Sequence, residues 1–451
     1  MTGRCALAIG MAGALVVSAA EVPASYRGTA QRIINAAMED ATGYSQLSEL
    51  CDQIGNRLSG SPSLERAVDW SVDVMKKDGL QNVRKIPAKV PHWVRGREHA
   101  EIVAPQRRPL TMLGLGGSVG TPAQGITAPV LVVRSFEDLE RRGKAAVAGK
   151  IVLYNAPFEN YFRTVQYRTS GASRAAKLGA VAALVRSVTP LSLQNPHTGA
   201  MDYEAGTPKI PTAAVTIEDA ELIQRLTAGG LQVRVHLEME AHTLADADSA
   251  DVIGEIPGRE NPEQVVVIGG HLDSWDVGQG AQDDGSGIMA ALAAAHLVHK
   301  LGLQPRRTLR VVFWTNEENG GAGAKAYRDW VGDRIRDHVA AIEMDGGAEK
   351  PVGFSFGGSP AALERLTAIG GLLDPIGAST IQHGGGGADI GPLMQDGVPG
   401  LGLRTVGTHY FDWHHSPADT VDKVNPQEFR MNVATMAVMA YVLADMPERL
   451  P

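Results

Sequence analysis

The chain has 451 residues, 42 Lys and Arg against 50 Asp and Glu, a formal net charge of −8 and 44% hydrophobic residues. That length supports two or three domains with sizeable cores, and the balance of apolar to charged residues excludes general disorder. No nucleic-acid partner is expected, since there is no excess of cations to displace phosphate counterions and aromatics make up only 5%.

Residues 1–19 read as a secretory signal: Arg4, an apolar run from Cys5 to Val17, then Ser18-Ala19-Ala20 at the cut. The run is too short to span a bilayer, and no other stretch approaches the ~18 apolar residues needed, so no membrane span is expected. The mature protein is expected in a periplasm or outside the cell. Cleavage near Ala19 removes one of the 2 Cys and leaves Cys51 alone, so no intramolecular disulfide is expected.

Residues 20–109 form the N-terminal part of a main domain, with helical patterning from Thr29 to Asp78 around the turn Gly55 to Pro62. From 110 to 245 the composition shifts to short β-rich runs, including Val130–Val133, Lys150–Tyr154 and Val181–Val185, with one helix at Ser173–Leu178. This stretch predicts a separate small β-rich or α+β unit, followed by a polar linker at Asp246–Asp251. The main part of the domain then resumes over 246–451. Gln264–Ile268 is apolar without alternation, as a strand buried on both faces should be. It is followed by an Ala-rich helix, Ala290–Leu301, and the strand Leu309–Trp314. Strand, helix, strand at this spacing predicts an α/β fold, a mostly parallel sheet flanked by helices.

Two features carry no chemistry. Gly114, Gly116, Gly117 and Gly120 resemble a dinucleotide loop, but Thr121-Pro122 follows where a phosphate-binding helix should start. Met431, Met436, Met439 and Met446 have near-helical spacing and read as core packing.

The chemistry gathers at predicted strand ends. His271 and Asp273 follow the central strand, and residues two apart there point to one side. Asp283-Asp284 stands in a glycine-rich turn, where adjacent carboxylates repel unless a positive charge sits beside them. Glu317-Glu318 follows the next strand, Glu343 and Asp345 a third, and His414-His415 lies near the C-terminus. Open α/β sheets place ligands at such C-terminal strand ends. Nitrogen and oxygen donors without thiolate suit a pair of zinc ions or similar divalents, and a carboxylate shared between two metals is an arrangement used for hydrolysis.

The segments GGHLDSWDVGQGAQDDGSG, WTNEENGG, EMDGG and HHSPADT resemble the zinc-dependent M28 peptidases. The likeness extends through GNRLSGSPSLERA, PHWVRG, SVGTP, GKIVLYN, RTVQYRTSGA, PHTG and PKIPTAAVTIEDAE, covering nearly the whole mature chain. It implies a zinc-exopeptidase fold whose insert is a protease-associated domain. It also implies two Zn2+ per chain, a homodimer, and hydrolysis of the terminal bond of dipeptides or short peptides by a carboxypeptidase or dipeptidase. Carried over to this chain, His271 and Asp345 hold one zinc, Glu318 and His415 the other, and Asp283 bridges them. Glu317 is the general base acting on a metal-activated water, and Asp273 is the partner of His271. Glu343 remains an alternative to Asp345, and His414, facing the substrate, an alternative to His415. An aminopeptidase also stays open, because one metal core serves either polarity; Arg404 and His383 are candidates to pair with a substrate carboxylate. A non-catalytic binding protein would lack a ligand or the base, and here none is missing.

Overall fold

The computed structural model describes residues 21–451, so the signal-peptide expectation for 1–19 lies outside the described residues. Two eight-stranded sheets dominate the fold. In the first, the strands in chain order are β1 Gln81–Val94, β2 His242–Ile256, β3 Asn261–His271 and β4 Arg307–Trp314. They are followed by β5 His338–Glu343, β6 Pro351–Gly357, β7 Thr380–His383 and β8 Gly400–Thr405. Across the sheet they lie in the order β1-β2-β4-β3-β5-β8-β6-β7.

The expected central strand is β3, parallel to both neighbours. Its side chains alternate between two cores: Val266 and Ile268 join the helices Ser286–Lys300 and Pro426–Asp445 on one face, and Val265 and Val267 pack with Trp314 and Tyr327 on the other. Both faces are dry, which is why the run reads as continuously apolar. Met436, Met439 and Met446 lie in the first of these cores, as packing residues should.

A mostly parallel sheet was the expectation; the sheet is mixed. Four of its seven pairings are parallel, those of the central β4-β3-β5-β8 set and the edge pair β6-β7, while β1-β2, β2-β4 and β8-β6 pair antiparallel. The expected linker Asp246–Asp251 is likewise part of β2, paired with β1 in a two-stranded ribbon that runs from Gln81↔Glu255 to Val94↔His242. Its first half is exposed, so small and acidic residues satisfy it and no apolar alternation marks it as a strand.

That ribbon carries the chain out to the second sheet and back. The second sheet runs from Glu98–Ala104 to Arg234–Met239, starting upstream of the composition shift at Leu110. Its centre is four parallel strands, Ile126–Val133, Ile151–Tyr154, Ala182–Arg186 and Thr212–Val215, with the helices Phe136–Val147 and Gln166–Lys177 between them and Ile217–Ala228 after the last. This layer is therefore α/β rather than β-rich. The missed helices begin with Ser135 and Thr216, whose side chains accept from the N–H of Asp138 and Asp219, an N-cap pattern present in the sequence. None of the described helices is long and apolar enough to cross a membrane.

Candidate metal centre

The acidic and imidazole groups expected to hold metal stand at the C-terminal edge of the central parallel strands or in a loop folded over it. His271 ends β3, Glu317 and Glu318 follow β4, and Asp345 follows β5. Asp283 sits in the turn Ala281–Gly285 that opens the helix Ser286–Lys300. Asp419 holds that turn in place: its carboxylate accepts from the N–H groups of Ala281, Gln282 and Asp283 at 3.1, 2.7 and 3.2 Å.

Asp283 lies at the middle. Its Oδ1 is 3.2 Å from His271 Nε2, which is 3.6 Å from Asp345 Oδ1. Its Oδ2 is 3.1 Å from His415 Nε2, which is 2.9 Å from Glu318 Oε2. One carboxylate thus serves two imidazole–carboxylate pairs. His414 stacks on His415 with ring centroids 3.5 Å apart and brings its Nε2 to 3.5 Å from Asp283 Oδ2, so it stands beside the second pair. Glu343, the alternative to Asp345, turns away: its carboxylate accepts from the N–H groups of Ala388 and Ile390 at 3.0 and 2.9 Å.

Asp284 is not part of the cluster although it adjoins Asp283. Its carboxylate accepts from the N–H groups of His271 and Gly287 at 3.2 and 3.0 Å. A Cβ on Gly270 would lie 2.0 Å from Asp284 Oδ2, so only glycine allows this clamp. Asp273 partners His271 as expected, but through a different atom. Its carbonyl takes the Nδ1 contact at 3.0 Å, while its carboxylate accepts from the N–H groups of Glu317 and Glu318. The imidazole is oriented by a main-chain group, and the side chain fixes the loop that presents both glutamates.

The electrostatics call for cations. His271 Nε2, Asp283 Oδ2 and Asp345 Oδ1 are buried and have no hydrogen-bond partner, although all three face one another across the cluster. Buried polar atoms are rarely left so, and ligand atoms converging on shared points rather than along bonds are what divalent ions require. Burial lifts the Glu318 carboxyl to about 7, with Asp283 adding to the shift, and burial also pushes Glu317 well above the usual carboxylate range. Burial disfavours charge on His271, but its contacts with Asp283 and Asp345 prevail and hold it well above its ordinary value. The residues present fit the two-metal expectation, in donor type and in their unmet need for positive charge.

The second sheet closes over the site. His197 Nδ1 donates to the His414 carbonyl at 2.6 Å, and the Thr198 N–H donates to the His415 carbonyl at 2.9 Å. Trp275, beyond His271, lies 5.6 Å from the His415 ring and packs on Gly116, where a Cβ would fall 2.0 Å from the indole. The glycine-rich loop thus accommodates a side chain, not a nucleotide. A cavity of about 810 Å³ opens between the layers, lined by Asp283, Glu317, Glu318, Asp345, His414 and His415 together with Tyr161, Arg168 and Phe411. That volume suits a small molecule or short peptide.

Several contributors escaped the sequence reading. Arg57, in the turn before Pro62, is fully buried and donates to the carbonyls of Leu272, Gly55, Gln279 and Gly280. Arg95 pairs through Nε and Nη2 with both carboxylate oxygens of Asp276. Arg168 and Tyr161 line the cavity, whereas Arg404 and His383 do not. Nothing in their spacing marks these residues; the segments GNRLSGSPSLERA, PHWVRG and RTVQYRTSGA, which contain Arg57, Arg95 and Arg168, were the available signals.

Known proteins resemble this chain closely. The profile of peptidase family M28 matches residues 251–440. Carboxypeptidase Q of Homo sapiens is 46% identical over 431 residues, covering 95% of this chain and 91% of the relative. The crystal structure of a peptidase M28 precursor from Shewanella amazonensis superimposes with a TM-score of 0.92 at 34% identity, covering 95% of this chain and 99% of that one. A zinc aminopeptidase from Bacillus subtilis shares the fold, with a TM-score of 0.68 at 19% identity, covering 90% of this chain and 95% of that one.

Proposed function

The chain belongs to peptidase family M28 and is a metallo-exopeptidase, and we propose that it is an exported di-zinc carboxypeptidase or dipeptidase acting on dipeptides and short peptides. One observation supports the two-metal core above the others: each oxygen of Asp283 faces its own imidazole–carboxylate pair. In this reading His271 and Asp345 hold one zinc, Glu318 and His415 the second, and Asp283 is shared. Zinc bound there supplies Lewis acidity, polarising the scissile carbonyl and acidifying the attacking water.

The chain's own groups do the rest. Glu317 borders the cavity beside the cluster, and the Asp273 carboxylate anchors its N–H. It accepts the water's proton and passes it to the leaving amine, a role served by a carboxyl raised above its ordinary range. His414 faces the substrate. Residues 110–245, as a protease-associated-like insert, wall off the cavity and exclude water. Export depends on residues 1–19, and the assembled form is a homodimer.

The polarity of cleavage is tested with purified, metal-quantified protein and three substrates: a free dipeptide, an N-blocked one and a C-amidated one. A carboxypeptidase cleaves the N-blocked compound and spares the amide; a dipeptidase cleaves only the free form. Cleavage of the amide but not the N-blocked compound would make it an aminopeptidase instead.

A further inference from the structure

The two imidazole–carboxylate pairs are built differently. His271, Asp283, Glu318 and Asp345 all follow or end strands of the first sheet, or sit in the turn Ala281–Gly285 beside them. His415 lies in a turn after the short helix Tyr410–Trp413, with φ at 59°. That is the left-handed region, which a residue with a Cβ seldom adopts unless its surroundings impose it. The loop at 195–198 of the second sheet supplies the contacts. His197 Nδ1 donates to the His414 carbonyl at 2.6 Å, and the Thr198 N–H to the His415 carbonyl at 2.9 Å. Asn195 Nδ2 donates to the Ser416 hydroxyl at 2.7 Å. The first two contacts grip the peptide planes on either side of the His415 Cα, and those planes define its φ and ψ.

The grip is itself anchored in the second sheet. Ser187, directly after the strand Ala182–Arg186, accepts from the His197 N–H at 3.0 Å, and its hydroxyl donates to the Val215 carbonyl at 2.8 Å. Thr198 Oγ1 donates to the Gly114 carbonyl at 2.8 Å. His197 and Thr198 are buried, so water does not compete for these bonds. We propose that His197 and Thr198 are positioning residues for His415: the second sheet sets the backbone that aims this imidazole at Glu318 and Asp283. One metal pocket then belongs to the first sheet alone, and the other is complete only while the two layers are docked. The proposal rests on the two-metal reading above.

The test follows the zinc retained per chain by the loaded protein across a graded series of chelator concentrations, independently of activity. Wild type should release two zincs. His197→Leu removes the donor to the His414 carbonyl and should weaken one site by about 10- to 100-fold, leaving the other unchanged. His197→Asn places an amide N–H where Nδ1 stands and should restore most of that loss, which a mere packing defect would not allow. His415→Ala should abolish the same site, and adding His197→Leu to it should leave the remaining zinc as tightly held as before. Asn195→Ala should weaken that site by ~5-fold and decides the question if His197→Leu does not fold. Equal weakening of both sites, unchanged affinity at both, or no recovery in His197→Asn would overturn the positioning role alone. A wild type that retains a single zinc per chain would overturn the two-metal reading and this proposal with it.

Discussion

Asp283 and Asp284 are neighbours that do unrelated work, one facing the cluster and one clamping main-chain N–H groups. Replacing Asp283 by Ala should therefore cost both metals, measured by elemental analysis; loss of one alone would refute its sharing. Asp345→Asn should reduce metal content, whereas Glu343→Gln, which touches only the 388–390 main chain, should leave it near wild type. Glu317→Gln should retain both metals and lower kcat by roughly 10²- to 10⁴-fold. A pH effect belongs to this scale as well. Asp251 is fully buried, and burial lifts its carboxyl to about 8, against about 4 in an unfolded chain. The fold keeps a proton that the unfolded chain releases, so the contribution is complete below pH ~4 and is lost as pH rises through ~8. In thermal scans the advantage of Asp251→Asn over wild type should widen from pH 5 to pH 8; a constant difference would contradict it.

At the scale of elements, loops rather than strands needed external support. The strands buried on two faces were legible because such burial leaves only apolar side chains, as in Val265–Ile268; the exposed half of β2 was not. The turn at Gly55–Pro62 and the loop after β3 have no ladder of their own, and Arg57 ties them together through four carbonyls. Arg57→Ala would orphan those carbonyls and should destabilise the protein by about 3 kcal/mol or more in urea unfolding. Arg57→Lys should recover little, since one ammonium cannot span four acceptors. A change near zero would show that the tie is dispensable. No sequence pattern announces such an arginine, because its partners are main-chain oxygens present in every residue.

At the scale of the molecule, two sheets joined by the β1–β2 ribbon meet at the cluster, and His197, Thr198, Trp275 and Arg168 bridge the seam. Metal should therefore act as a structural keystone as well as a reagent. Chelation should abolish activity and lower Tm by ~5 °C or more, with both restored by zinc, because binding to the folded form alone stabilises it. An unchanged Tm would mean that the seam holds without the ions. The sequence by itself determined the chemistry: residue type and position at strand ends are local properties, so His271, Asp283, Glu317, Glu318 and the His414-His415 pair could be named from the chain. The tertiary structure alone decided which atoms meet. It brought Asp345 rather than Glu343 to the cluster, turned Asp284 away, gave the His271 contact to a carbonyl of Asp273, and delivered Arg168 from a helix of the other sheet. These outcomes depend on how distant segments pack, and spacing along a chain carries no record of that.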